Sequence, residues 1–369
     1  MPFLNLSLCN FRNLKNDKID LFSKEVYFVG ENGQGKSNLL ESLYYTAYGS
    51  SFRTHLDSQL IKKGEENFSL FSFYKNDESE NSQQIRIFYD KGKKSIEKNG
   101  KKIHDRKEII NTIPCVLFCH NDLKFATGEP EFRRFFLDQS LTMYDSLYID
   151  DLRNYRKILK SRNLILKECK YEMLDIYDMQ LAQKGLEIQK KRKNAVFQFN
   201  EVFGKLYENV SGIEGVEIKY CPSWKKKSKE EENIVPTAEE VISLLNEKRD
   251  QDKIMNTTLS GPHRDKIVFI KDGVQFINTA STGQCRLVSL ILRVAQAVYY
   301  NRITRIKPVL LMDDVMLELD PDKRQKFTEV LPEYDQLFCT FLPGEPYERY
   351  EKDTTRIYEL KSGEWNEIR

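Results

Sequence analysis

No stretch of this 369-residue chain approaches the roughly 20 consecutive apolar residues that a bilayer-crossing helix requires. The start, Met1-Pro2-Phe3-Leu4-Asn5-Leu6, lacks the basic opening and the apolar run of a secretory leader. These two absences predict a cytoplasmic protein with no membrane partner. Disulfide-style spacing is missing as well. Cys9, Cys115, Cys119, Cys169, Cys221, Cys285 and Cys339 are odd in number and scattered, which predicts reduced thiols. Cys115-x-x-x-Cys119-His120 has no second ligand pair, and Val116, Leu117 and Phe118 between the cysteines favour a buried strand over a metal site. There is no internal repeat and no low-complexity tract. Net charge is only +2, so bulk charge announces no polyanionic partner. What remains is 40% hydrophobic and 31% charged, the balance of a globular protein long enough for two or three cores.

The texture changes twice along the chain. Leu4 to Cys9 and Gln84 to Tyr89 alternate at period two, as half-buried strands do. Glu25-Val26-Tyr27-Phe28-Val29 is a short β-rich run ending at a glycine, and Ser37 to Tyr48 follows with helical spacing. Asn99-Gly100 is a hairpin turn signal. From about residue 141 glycine and proline nearly vanish until Gly212, and apolar residues recur at three-four spacing. This segment predicts long helices in a compact lobe. Trp224 to Glu232 reads as an exposed loop. Strand texture returns near residue 254, and Pro308-Val309-Leu310-Leu311-Met312 reads as a central parallel strand with Gln336 to Thr340 as its neighbour. The expected fold class is α/β. One domain spans 1–140 and 252–369, and a helical lobe, 141–251, is inserted into it.

Three segments carry chemistry. Gly30-Glu31-Asn32-Gly33-Gln34-Gly35-Lys36-Ser37 fits G-x-x-x-x-G-K-[ST] at every fixed position and sits between a strand and a helix, with Asn38 next in the helix. Glycines let backbone N–H groups turn towards phosphate oxygens, and the helix N-terminus adds positive potential there. Lys36 would neutralise the β- and γ-phosphates, and the Ser37 hydroxyl would ligate Mg²⁺. The predicted ligand is ATP. The second segment, Val309-Leu310-Leu311-Met312-Asp313-Asp314, delivers two carboxylates to the C-terminal end of a buried strand. Asp313 would hold Mg²⁺, and Asp314 would act as general base on the attacking water. The third, Ala280-Ser281-Thr282-Gly283-Gln284, opens an amphipathic helix that Ser281 caps.

That third segment resembles the Leu-Ser-Gly-Gly-Gln signature of ABC-type ATPases, with Ala280 and Thr282 in place of leucine and glycine. The resemblance implies that Ser281, Gly283 and Gln284 touch the γ-phosphate held by a partner subunit. Glu318-Leu319-Asp320 stands where such ATPases carry their D-loop. Further blocks stand along most of the chain: Asn10-Phe11-Arg12-Asn13, Gly30 to Glu41, Ser51-Phe52-Arg53-Thr54, Asp122-Leu123, Gly128-Glu129-Pro130 and Arg133 to Asp138. Tyr155-Arg156-Lys157, Ser161-Arg162-Asn163 and Thr258 to Asp265 complete the set. In these blocks the chain is similar to the RecF family of bacterial recombination mediators. There are departures. Cys119-His120-Asn121 replaces a proline-containing approach to Asp122, and Met316-Leu317 replaces a more polar pair before Glu318.

The resemblance implies an ABC-type ATPase head that binds ATP with Mg²⁺ and forms an ATP-dependent head-to-head homodimer. It implies binding to DNA, whether single-stranded, gapped or a duplex junction. Partners RecR and RecO, loading of RecA, and roles in recombinational repair, replication recovery and the SOS response are implied too. Slow hydrolysis through Asp314, a shorter base than the glutamate of many relatives, would open the clamp. The alternative is a structural clamp that uses ATP only as dimer glue. Candidate DNA contacts are Arg53, Lys62, Lys63, Lys93, Lys94, Lys101 and Lys102.

Overall fold

The computed structural model describes residues 3–75, 82–110, 112–226 and 235–369, and only the backbone of Leu317. It divides into two compact units, 3–122 with 292–369, and 123–291.

The first unit begins with β1 (Phe3–Cys9), β2 (Asp17–Asp20), β3 (Glu25–Val29) and α1 (Lys36–Tyr48). Then come β4 (Asn67–Tyr74), β5 (Gln83–Asp90), β6 (Lys93–Lys98), β7 (Lys101–Ile103), α2 (Lys107–Ile110) and β8 (Cys115–Phe118). The second unit holds α3 (Leu123–Thr127), α4 (Pro130–Thr142), α5 (Ser146–Lys167), α6 (Leu174–Ser211) and β9 (Glu217–Cys221). It continues with α7 (Ala238–Glu247), α8 (Arg249–Met255), β10 (Lys266–Lys271) and β11 (Val274–Gln275). Helix α9 (Thr282–Thr304) starts in this unit and ends in the first, which closes with β12 (Val309–Met312), α10 (Pro321–Glu329), β13 (Gln336–Phe341), β14 (Arg356–Lys361) and β15 (Glu364–Glu367).

Two six-stranded sheets build the first unit. One is antiparallel in the order β2-β1-β4-β5-β6-β7. The other runs β15-β14-β3-β13-β12-β8, parallel except at β15. Helix α1 touches strands of both sheets and is buried nearly all round, so its apolar residues face two layers at once. Its buried serine and threonine hydroxyls return to its own backbone. Ser42 donates to the Leu39 carbonyl at 2.7 Å, and Thr46 to the Ser42 carbonyl at 2.8 Å. Central strands β3, β8, β12 and β13 are buried at every residue, which explains why they are apolar apart from Glu25, Gln336 and Thr340. Cys115 is buried in β8 as the strand reading predicts.

The second unit pairs the long helices α5 and α6, with the three-stranded sheet β11-β10-β9 alongside α6. Its centre is ionic. Arg192 of α6 meets both oxygens of Asp138 on α4 at 2.9 Å and Asp265 at 3.0 Å. Arg162 of α5 meets Asp178 at 2.6 Å and Asp252 at 2.7 Å. Asp265 also accepts from Gln189, the Ser223 N–H and Tyr220. Burial pushes the Asp265 carboxyl up, against these donors and Arg192. Arg134 donates to the Asp265 carbonyl at 2.8 Å, and Arg133 to the carbonyls of Ala126 and Gly128. His263 lies between Tyr155 and the Thr258 carbonyl, and burial lowers it to about 4, so it is neutral at pH 7.

Two expectations need correction. The divisions at 140/141 and 251/252 fall inside the second unit, which also takes 123–140 and 252–291. The ion network is the reason: Asp138 and Asp265 pair with Arg192, so the flanking segments pack with the helices. The supposed exposed loop begins at a residue that is fully buried. Trp224 donates to Ser260 at 3.2 Å and stacks over Gly185 of α6, where a Cβ would come within 2.3 Å of the indole. Lys227 to Glu232 of that loop lie outside the described residues.

Candidate nucleotide-binding site

The turn from β3 into α1 is made by glycines in left-handed backbone. Gly33 has φ +80° and Gly35 φ +113°, values that a side chain strains. The resulting loop curls over Lys36, whose Nζ donates to the Gly30 carbonyl at 2.7 Å and the Glu31 carbonyl at 3.3 Å. The ammonium is therefore held at the centre of the loop, where a phosphate would compete for its protons. Gln34 is tied to the β14–β15 turn. Its side-chain oxygen accepts the Ser362 N–H, and its carbonyl accepts the Gly363 N–H at 2.9 Å.

Parallel pairing of β3 with β13 and of β13 with β12 brings the end of Val309–Met312 beside this loop. Ser37 donates to Asp313 at 2.7 Å. A hydroxyl and a carboxylate at this separation are the hard-oxygen donor pair that Mg²⁺ takes. Burial raises the Asp313 pKa to about 6, with the Ser37 hydrogen bond opposing and the Asp314 charge reinforcing the rise. A buried carboxylate with raised proton affinity is one that a divalent cation would stabilise in its charged form.

Asp314 follows in left-handed backbone, φ +53°. Its N–H donates to the Thr340 hydroxyl at 2.7 Å, and that hydroxyl donates to Asp314 Oδ1 at 2.7 Å. Thr340 escaped the motif reading. Its signal in the sequence is slight, a hydroxyl residue near the end of the apolar strand Gln336–Phe341.

Motifs far apart in sequence converge on Glu41, which is fully buried. Arg12 binds it through two 2.9 Å hydrogen bonds, Ser51 donates to it, and Arg53 lies 3.5 Å away. A second chain of contacts runs from Arg53 to Asn38 at 2.6 Å, then to Asn13 at 2.7 Å, and on to the Gly33 carbonyl at 3.4 Å. Beside it opens a cleft of about 500 Å³ lined by Arg12, Asn13, Asn38, Arg53, Lys62 and Lys63. Three of the DNA candidates thus line this cleft together with Asn13 and Asn38, and Lys62 donates to the Leu14 carbonyl.

The other basic candidates lie on the β6–β7 hairpin. Lys93, Lys94, Lys101 and Lys102 are all exposed. Lys94 differs in its partners, donating to Asp57 and to the Gly49 carbonyl at 2.8 Å each.

The departures from the family pattern near Asp122 and Glu318 face one another. His120 Nδ1 lies 2.9 Å from Glu318 Oε1. The turn His120–Asp122 forms without proline because Asp122 is buried and accepts from the Cys119 N–H at 2.9 Å and from Arg293 at 2.8 Å. Met316 is buried, which suits its apolar side chain.

In the second unit, Ser281 caps α9. Its hydroxyl accepts from the Gln284 N–H at 3.3 Å, and the Gln284 side chain accepts from the Ser281 N–H at 2.7 Å. Gly283 is exposed, and a Cβ there would meet nothing within 4 Å among the described residues.

The family model described as the RecF/RecN/SMC N terminal domain matches residues 3–364. The chain is 48% identical over 364 residues to the DNA replication and repair protein RecF of Treponema pallidum, covering 98% of this chain and 100% of that one. Against the RecF of Leptospira interrogans it is 32% identical, covering 99% of each. A solved structure of the recombination mediator protein RecF-ATP in the RecFOR pathway superposes with TM-score 0.89 at 30% identity, covering 100% of this chain and 98% of that one. An Smc head bound to the C-winged helix domain of ScpA shares the fold, with TM-score 0.56 at 17% identity over 99% of this chain and 96% of that one. The α/β class is therefore that of an ABC-type ATPase head with a helical lobe. With its length matched from end to end and the phosphate loop, the paired aspartates and the Arg12–Glu41–Arg53 junction in place, the chain belongs to the RecF family.

Proposed function

We propose that this chain is an ATP-dependent DNA-binding protein of recombinational repair and replication recovery, switched by Mg²⁺–ATP. The observation that carries the reading is the 2.7 Å contact between Ser37 and Asp313, with Lys36 held inside the loop beside it. Gly30 to Asn38 would cradle the phosphates, and Ser37 with Asp313 would hold Mg²⁺. The cleft that joins the loop through Asn13 and Asn38 suits the nucleoside end, which draws Arg53, Lys62 and Lys63 away from DNA and towards nucleotide. Lys93, Lys101 and Lys102 stay as candidates for DNA phosphates, giving affinity that falls steeply with salt and reads little sequence.

Ser281, Gly283 and Gln284 would meet the γ-phosphate held by a second copy. The glycine supports this, because among the described residues nothing within 4 Å requires a missing side chain at 283. In hydrolysis, water oxygen bonds to the γ-phosphorus as the bridging P–O bond breaks. ADP leaves with the electron pair, and Asp314 takes the proton. Loss of the γ-phosphate removes the contact that closes the dimer, and the DNA clamp opens. The name of the RecFOR pathway on the ATP-bound relative supports RecO and RecR as partners, and the proposed task of the three is to load RecA.

Sedimentation with and without ATP tests this on the native chain, Lys36→Met and Ser281→Arg. The native chain should double in mass with ATP, and both variants should stay monomeric. Unchanged mass in the native chain, or a normal dimer from Ser281→Arg, would overturn the shared-nucleotide mechanism.

A further inference from the structure

We infer that Thr340 is the positioning residue of the hydrolytic step, holding Asp314 in its working orientation by a two-point hydrogen bond. This rests on the proposed role of Asp314 as general base.

The chemistry of the contact is specific. A threonine hydroxyl has one proton to give and two lone pairs. Here the proton goes to Asp314 Oδ1, and a lone pair takes the Asp314 N–H, both at 2.7 Å. Backbone and side chain of one residue are thus gripped by one oxygen. Grip matters, because Asp314 sits at φ +53° and ψ +18°, a left-handed conformation that aspartate tolerates as a single residue when its side chain is hydrogen-bonded. The Thr340 hydroxyl supplies that hydrogen bond.

Thr340 can hold still. It is 1% exposed, and its strand pairs in parallel with β3 on one side and β12 on the other. Those two strands carry the phosphate loop and the aspartates. The hydroxyl therefore comes from the rigid element between the two halves of the site. With Oδ1 committed to Thr340, Oδ2 has no hydrogen bond to any described residue and is the oxygen left to accept a proton from water.

A residue that merely fills the core would be replaced without loss by valine, which has the same shape and no hydroxyl. A positioning residue would not. Small displacements of a general base cost up to about 100-fold in rate. We expect Thr340→Val to lower kcat for ATP hydrolysis by about 10–100-fold, with KM and the ATP-dependent mass change as in the native chain. Thr340→Ser, which restores the hydroxyl, should recover to within about threefold of native.

Single-turnover hydrolysis of ATP on native protein, both variants, Asp314→Asn and the double variant Thr340→Val/Asp314→Asn is the test. Because Thr340 acts through Asp314, the double variant should be no slower than Asp314→Asn alone. Turnover in Thr340→Val within twofold of native would overturn the proposal. So would a serine variant as slow as the valine one, or a double variant slower than Asp314→Asn. Undiminished hydrolysis in Asp314→Asn would instead sink the general-base reading, and Thr340 would lose its role with it.

Discussion

Ser37 donates a 2.7 Å hydrogen bond to Asp313, joining residues 276 positions apart. One ends the phosphate loop and the other follows β12. Their oxygens are adjacent because α1 starts, and β12 stops, at the C-terminal end of the same parallel strands.

Removing that hydroxyl tests the cation. Ser37→Ala should leave the nucleotide-free fold intact and lower the Mg²⁺-dependent part of ATP affinity about 10–100-fold. Calorimetric titration with Mg²⁺ and with chelator measures it. The native chain should bind ATP more tightly with Mg²⁺, and the variant should show little difference.

Asp313 gives a pH dependence of unusual sign. Folding raises its pKa from 3.8 to about 6. The folded state therefore keeps a proton that the unfolded chain has lost between these values. The cost of this carboxylate to stability is absent below about pH 4 and complete above about pH 6. Asp313→Asn should raise the melting temperature of the nucleotide-free protein at pH 8 and leave it nearly unchanged at pH 4, as thermal melts at the two pH values will show.

Glu41 holds two guanidinium groups, and cutting it should hurt both fold and ligand. Glu41→Ala should cost about 2–3 kcal/mol. That is less than the loss of a wholly buried pair, because Arg12 keeps 21% of its side-chain surface in water. Urea unfolding reads the stability. ATP titration should show weaker binding as well, since Arg12 and Arg53 line the cleft beside the loop.

Gly185 is the seat of Trp224. Gly185→Ala places a methyl 2.3 Å from the ring, and a rigid indole between packed elements has little room to yield. A loss of about 3 kcal/mol is expected. Indole fluorescence should shift to the red as Trp224 leaves its buried site, with Trp365 as the constant background.

Much of the candidate site is legible without coordinates, for a local reason. The loop from Gly30 to Ser37 needs glycine where φ is positive and a lysine and hydroxyl at set spacing, and all of that is written within eight neighbouring residues. Central strands are equally plain, since burial on both faces demands continuous apolar runs, as in Val309–Met312. The basic run from Lys91 to Lys107 is less plain. Its charges read as one cluster, yet the Lys94 ammonium is taken up by Asp57 and the Gly49 carbonyl, partners that lie 37 and 45 positions earlier. Trp224 misleads for a related reason. Charged neighbours suggest solvent, but the gap above Gly185 is made by a helix 39 residues earlier.

What the chain encodes by itself is its local chemistry and class: a phosphate loop, a carboxylate-tipped strand, a capped signature helix and an α/β frame. Those depend on backbone preference and on periodicity, which act between near neighbours. Tertiary structure alone decided that Arg12, Ser51 and Arg53 share Glu41, that Thr340 grips Asp314, and that Asp138 and Asp265 share Arg192. A buried charge or strained backbone must find its partner wherever folding brings one, and linear spacing carries no record of that meeting.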